Sequence, residues 1–262
     1  LLDTSQSMKK SDPLALRIAA TRLAISLLGS QDKLGIATFS DHAQSLVAPM
    51  ALVGNRELLL KAANKLGAEG SYTNFHEALK LGLRELSEVP RHAAAPMVIL
   101  LTDGVMNTGS IDLDRQLKAD IRTTILPQYR SLGIPVHTIA FTPQSDATFL
   151  EEIAAATGGV FQIAATGSDL HHVITALFEI VKQPDMLPIS GDQFQVDAQV
   201  HEFTLVVEKT FPDEDIYLQS PSGKRQHAAS HGSNVTWLDT PLFSTITITE
   251  PERGRWSIAS AS

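Results

Sequence analysis

The chain has 262 residues, 43% hydrophobic and 19% charged, with a formal net charge of -8; this composition excludes a disordered or collagen-like chain and predicts a packed core. The acidic balance, with no run of Lys or Arg to offset it, argues against nucleic acid as a partner. The absence of cysteine excludes thiolate catalysis, zinc knuckles, iron-sulfur ligation and disulfides. The best apolar helix candidate, Ile18 to Leu28, is interrupted by Arg22 and is shorter than the roughly 18 to 20 residues of a membrane span. Leu1-Leu2-Asp3 reads as the end of an apolar strand whose beginning is missing, so the expectation is an upstream piece with room for a secretion signal or an anchor, and the lack of a targeting segment here says little about location.

From Asp12 to about Lys182, helical periods alternate with short apolar runs, the pattern of an α/β domain with a mostly parallel sheet. Asp12-Pro13 predicts a cap and a first-turn proline for a helix bearing Leu14, Leu16, Ile18, Leu23, Ile25, Leu27 and Leu28, closed by Gly29. Stretches 34–39 and 46–48 read as two strands joined by a polar turn, making an antiparallel edge. Helices are expected at about 56–66 and 75–86. The run 97–102, flanked by Pro96 and Asp103-Gly104, is too short for a helix and reads as a central strand buried on both faces; 134–141 is a second such strand. Between them, a helix at about 115–130 should be kinked or split by Pro127. A helix at 147–156 and a strand at 160–163 follow. The last helix is expected to be capped by Asp169, with Leu170, Val173, Ile174, Leu177, Phe178 and Val181 on one face and His171 and His172 toward solvent.

Residues 183–193, with Pro184, Pro188 and Gly191 and no periodicity, read as a linker between a domain at 1–182 and a second at 194–262. The second region turns to alternation and β-branched residues, with strands expected at 194–199, 202–208, 216–219, 234–238, 243–249 and 256–259. This predicts a small all-β, immunoglobulin-like sandwich. It is short of the roughly 100 residues of such a domain, so a further strand is expected outside the sequence.

Asp3, Ser5 and Ser7 alternate directly after an apolar strand end, and Asp103 closes another apolar run. Loops leaving the carboxyl ends of neighbouring parallel strands converge on one crevice where the strand order reverses, and both aspartates should meet there. The loop from Gly70 to Asn74 precedes a helix and brings the Thr73 hydroxyl to the same place. Two carboxylates and three hydroxyls are all hard oxygens, a set that suits Mg²⁺, Mn²⁺ or Ca²⁺ and not zinc, and leaves one coordination position open.

Asp3-Thr4-Ser5-Gln6-Ser7, Thr73, and Asp103 within Leu-Thr-Asp-Gly resemble the metal-ion-dependent adhesion site of von Willebrand factor type A domains, over about residues 1 to 182. Ala-Thr-Gly-Gly-Val-Phe at Ala156 to Phe161 resembles a late strand of that family. The resemblance implies a Rossmann-like, doubly wound sheet with helices on both faces. It also implies Ser5, Ser7 and Thr73 as direct ligands, Asp3 and Asp103 holding the ion partly through water, and an Asp or Glu carboxylate of a partner protein completing the shell. Tyr72, Asn74, Phe75, His76, Met106 and Asn107 are placed to form the rim of the partner site. The tail from Phe194 is similar to sandwich regions of some bacterial surface or membrane-linked members, and an extracytoplasmic location, with any membrane anchor outside this sequence, follows from that likeness.

Other readings are weaker. His76-Glu77 lacks the second histidine of a zinc-protease helix, since Lys80 stands in its place. Ser5 has no histidine base or nucleophile-elbow pattern around it. Asp213, Glu214 and Asp215 read as a solvated loop, and Asn234-Val-Thr236 as a chance glycosylation match. The leading expectation is therefore a non-enzymatic, metal-dependent protein-interaction module. A metal-assisted hydrolase and a structural subunit with a purely stabilising ion are the alternatives.

Overall fold

The computed structural model describes residues 1–13, 15–87, 89, 95–142, 145–164, 167–182 and 187–261. Leu14 of the first expected helix, residues 183–186 of the expected linker and the side chain of Val181 lie outside those described. The chain divides into two compact units, Leu1–Thr21 with Leu28–Leu177 and Arg22–Leu27 with Phe178–Ser262.

In the first unit, β1 (Leu2–Asp3), β2 (Lys33–Phe39), β3 (Ala43–Ala51), β4 (Val98–Thr102), β5 (Val136–Ala140) and β6 (Phe161–Ile163) form one sheet in the order β3-β2-β1-β4-β5-β6. All neighbours are parallel except the β2–β3 edge pair, which is antiparallel as its short polar turn requires. Every residue of β5 is buried, the polar His137 and Thr138 included, as a central strand covered on both faces requires. Phe75, Leu79, Leu100, Tyr129, Val136, Phe149 and Ile153 belong to one buried cluster against this sheet.

The helices are α1 (Met8–Ser11), α2 (Leu16–Leu27), α3 (Arg56–Ala63), α4 (Phe75–Ser87), α5 (Ile111–Asp120), α6 (Leu126–Ser131), α7 (Ala147–Thr157) and α8 (Gly167–Lys182). Three details differ from the sequence reading. Pro13 is not the first helical residue: α2 starts at Leu16, behind left-handed Ala15 (φ 52°), and the Asp12 carboxylate reaches over to accept the Leu16 and Arg17 N–H groups. Pro127 does not simply kink one helix. A π-helical turn, Ile121–Ile125, joins α5 to α6 and puts Pro127 in the first turn of α6, where its missing N–H is tolerated. Helix α8 begins at Gly167, so Asp169 lies inside its first turn rather than capping it, and His171 is buried while His172 is exposed.

The second unit is an antiparallel sandwich. Strands β7 (Ile189–Ser190), β8 (Gln193–Val196), β10 (Asp215–Gln219), β11 (Arg225–His227) and β14 (Gly254–Ala261) form a five-stranded sheet ordered β11-β10-β14-β8-β7. The second sheet is β12-β13-β9, made of β9 (Glu202–Glu208), β12 (Val235–Asp239) and β13 (Phe243–Thr249). Phe194 and Trp256 from the first sheet and Phe203 from the second make the centre of the core, with ring centroids 5.3 to 6.4 Å apart. Strand β7 falls inside the stretch expected to be a linker. At two residues, with both side chains exposed, it gives no periodic signal.

Candidate metal centre

β1 ends at Asp3 and β4 at Thr102, and the two strands are neighbours, with Leu2 opposite Leu101. The sheet continues through β2 on one side of this pair and β5 on the other, so the loops leaving β1 and β4 part here and open a crevice at the carboxyl edge.

Asp3 forms the floor and is wholly buried. Its Oδ1 accepts the Ser5 N–H at 2.8 Å, and the Thr102 hydroxyl donates to its Oδ2. Burial pushes the Asp3 carboxyl up to about 6; the charge of Asp103 adds to this, while the hydrogen bonds from Ser5 and Thr102 oppose it. Above the floor, Ser5 Oγ and Ser7 Oγ lie 2.9 Å apart, and Ser7 Oγ donates to Asp103 Oδ1 at 2.8 Å. Ser5 is buried and Ser7 exposed, so the oxygens rise from the interior to the mouth of the crevice.

An ordinary capping turn would use the same residue types. Ser7 does stand at the N-cap of α1, yet it makes no side-chain cap bond; its hydroxyl turns to Asp103 instead.

Thr73 arrives on a loop fixed from both sides. It exchanges two backbone hydrogen bonds with Asn107, each 2.9 Å, while Gln6 N–H donates to Gly70 O at 2.7 Å and Gly70 N–H to Thr4 O at 3.0 Å. Thr73 lies against the residue after Asp103: a β-carbon on Gly104 would sit 3.2 Å from Thr73 Oγ1. Glycine there lets the hydroxyl approach the Asp103 loop.

These five side chains fit a divalent cation. Asp3 and Asp103 are both buried, and their side-chain partners are hydroxyls; among the described residues neither pairs with Lys or Arg. Two buried carboxylates without a cationic side chain leave negative charge for an ion to neutralise. An oxygen-only donor set meets the preference of a hard cation.

The expected rim is only partly realised. Tyr72 and Asn107 are exposed. Phe75 and Met106 are not on the surface: both are buried in the hydrophobic core, Phe75 with its ring between Phe39 and Phe149, so neither presents surface to a partner. His76 is also buried, and its Nε2 lies 2.8 Å from Asp120 Oδ2, which ties it to α5. Asn74 is half-buried and serves α4, its Oδ1 accepting the Glu77 N–H at 3.2 Å. Phe75 and His76 follow the loop in sequence, but the start of α4 turns them inward.

The sequence reading missed two supporting hydroxyls. Thr102 holds Asp3, and Ser11 donates to Asp103 Oδ2. Thr102 was visible as the residue before Asp103. Ser11 stands four residues after Ser7, on the same side of a helical turn, a spacing too ordinary to single out.

Residues 1–176 match the family model described as von Willebrand factor type A domain, and residues 180–262 match one described as hemicentin galactose-binding domain-like. No curated protein sequence matches the chain. Among solved structures, a von Willebrand factor type A protein from Catenulispora acidiphila is similar over 99% of this chain and 56% of its own, at 16% identity and a TM-score of 0.58. The chain thus spans little more than half of that relative's length. Proximal thread matrix protein 1 from the mussel byssus, with a zinc-occupied MIDAS motif, is similar over 68% of this chain and 43% of its own, at 18% identity and a TM-score of 0.52. The PilB minor pilin from Streptococcus sanguinis is similar over 70% and 60%, at 14% identity and a TM-score of 0.54.

Proposed function

Because the chain belongs to the von Willebrand factor type A domain family, we propose that Asp3, Ser5, Ser7, Thr73 and Asp103 hold a divalent cation that binds a carboxylate of a partner protein. The observation that carries this reading is the pair of buried carboxylates ringed by hydroxyls, with no Lys or Arg among the described residues to neutralise them. When bound, the ion supplies an electrophilic coordination position. The chain's own residues do the rest: Thr102 and the Ser5 amide orient Asp3, Ser7 and Ser11 orient Asp103, and the Thr73–Asn107 pairing holds the third loop in place.

Interaction is favoured over hydrolysis because, among the described residues, the hydrogen-bond partners of these side chains are hydroxyls, carboxylates and backbone amides, with no imidazole to serve as a general base. Hard oxygens favour Mg²⁺, with Mn²⁺ or Ca²⁺ as substitutes. The zinc in the mussel protein's motif makes competition between Zn²⁺ and Mg²⁺ a necessary part of the metal assay. No described helix is long and apolar enough to cross a membrane. Our reading places the molecule outside the cytoplasm, with support from the likeness to a minor pilin and a byssal thread protein; protease accessibility in intact cells checks it.

The direct test is water-proton relaxation of the Mn²⁺-loaded chain. Acetate should displace metal-bound water and lower the enhancement, and Asp103→Ala should abolish Mn²⁺ binding. An enhancement indifferent to acetate overturns the carboxylate reading. Saturating metal at about 100 times its dissociation constant should add roughly 2.7 kcal/mol of stability, which EDTA removes.

A further inference from the structure

Four of the ten large hydrophobic side chains left exposed among the described residues lie on the two segments that carry Thr73 and Asp103. Val105 (49% exposed), Ile111 (78%) and Leu113 (40%) fall within one short stretch that begins two residues after Asp103. Tyr72 (40%), the residue before Thr73, joins them: a β-carbon on Gly109 would lie 2.8 Å from its ring. The two segments are tied together by the Thr73–Asn107 backbone pair. Single exposed leucines are ordinary, but Tyr72 on the Thr73 loop, Val105 on the Asp103 loop, and Ile111 and Leu113 on the first turn of α5 that this loop leads into are four exposed large apolar side chains on two joined segments, a surface that wants cover.

The fold does not need them there. Helix α5 buries none of its residues, and its N-terminus is already capped by Ser110, so Ile111 and Leu113 serve neither core nor cap. The charges in the same stretch are committed locally. Asp112 pairs with Arg115 at 2.8 Å, and Asp114 Oδ1 accepts both the N–H and the hydroxyl of Thr108 at 2.7 Å. Beyond the cation, these acidic groups and the net charge of -8 disfavour a second negative group on the partner.

We propose that this surface receives the residues flanking the partner's carboxylate, so that the preferred ligand is a protein segment with a single Asp or Glu between large apolar side chains. The proposal rests on the metal-carboxylate reading above and adds to it the class of partner. The ion anchors the acid, and Tyr72, Val105, Ile111 and Leu113 select its neighbours. One ionic contact gives little discrimination by itself, whereas apolar cover at its edge discriminates by area.

The test uses the full chain in saturating Mg²⁺ and three peptides, read by calorimetry: acetyl-Gly-Gly-Glu-Gly-Gly-amide, acetyl-Gly-Phe-Glu-Val-Gly-amide, and the latter with Gln for Glu. The apolar-flanked Glu peptide should bind about tenfold tighter than the glycine-flanked one, and the Gln peptide should lose most of the affinity. Ile111→Ser and Val105→Ser, two exposed positions, should each reduce the preference severalfold. A separate Mn²⁺ titration followed by electron paramagnetic resonance reports the ion site alone. Equal, metal-dependent affinity for both Glu peptides overturns this inference and leaves the carboxylate reading standing. Equal binding of the Glu and Gln peptides also overturns it, by showing a patch that acts without the ion. If no Mn²⁺ binds, the metal reading fails and the inference with it.

Discussion

Ser7 Oγ donates to Asp103 Oδ1 at 2.8 Å, a hydrogen bond between residues 96 positions apart. It joins the loop after β1 to the loop after β4, and it diverts Ser7 from capping α1. Ser7→Ala should therefore weaken Mn²⁺ binding about tenfold or more and, by removing a donor to a buried carboxylate, lower metal-free stability by about 1–2 kcal/mol. Calorimetric titration and chemical denaturation in EDTA check the two halves separately.

Thr102 bears on the proposed ion through Asp3, whose Oδ2 accepts its hydroxyl, and through the Asp103 loop, where its Oγ1 accepts the Gly104 N–H at 3.1 Å. Thr102→Val keeps the shape and removes that donor. Loss of such an orienting partner should lower metal affinity by about 10- to 100-fold. Unchanged affinity would show that Asp3 needs no orientation from β4.

Gly70 lies where a β-carbon would come within 2.0 Å of Ser40 Cβ and 3.3 Å of Thr4 O. Gly70→Ala should cost about 1–3 kcal/mol and disturb the loop that carries Thr73. Because the worst overlap is with a side chain, Ser40→Gly should restore part of the loss, giving a coupling of at least about 0.5 kcal/mol in a double-mutant cycle.

Phe75 and Tyr72 belong to one loop-to-helix segment but have opposite fates. Phe75 is fully buried, so Phe75→Ala should destabilise the first unit by about 3–5 kcal/mol. Tyr72→Ala should change stability little and weaken the apolar-flanked peptide instead. Urea denaturation and peptide titration of both variants separate core from surface.

His137 is buried in β5, and its Nδ1 accepts the Val160 N–H at 3.1 Å, so the neutral ring carries its proton on Nε2, which is buried without a partner. Burial lowers its pKa below the ordinary 6.5. The unfolded chain then takes up a proton before the folded one as the pH falls. Stability from this residue is complete above about pH 6.5 and declines below it. His137→Phe should flatten the slope of thermal midpoint against pH between 7.5 and 5.5, whatever its effect on the midpoint itself; an unaltered slope would place the acid sensitivity elsewhere.

Strands and helices with strong patterns were legible from the residues alone. The apolar run before Asp103 and the mainly apolar run at 134–141 announced central strands, and the boundaries of β9 and β13 fall where alternation and turn residues placed them. The two-residue β7 and three-residue β11 were not legible, because neither spans enough positions to show a period. The π-helical turn before Pro127 escaped for a different reason: proline announces a lost hydrogen bond, but neighbouring packing decides whether the helix kinks, ends or widens.

The five oxygen-bearing residues were found in the sequence because their chemistry is local: Asp3, Ser5 and Ser7 alternate on one loop, and Asp103 and Thr73 stand beside strand and helix boundaries. The sequence also determined that the chain is acidic and cysteine-free and that it changes from α/β to all-β character. Only the tertiary structure decided which neighbours face the site. It turned Phe75, His76 and Met106 into the interior, brought Thr102 and Ser11 to the carboxylates, and left Val105, Ile111 and Leu113 in water. Donor type is a property of a residue, whereas exposure belongs to a side chain and everything packed around it.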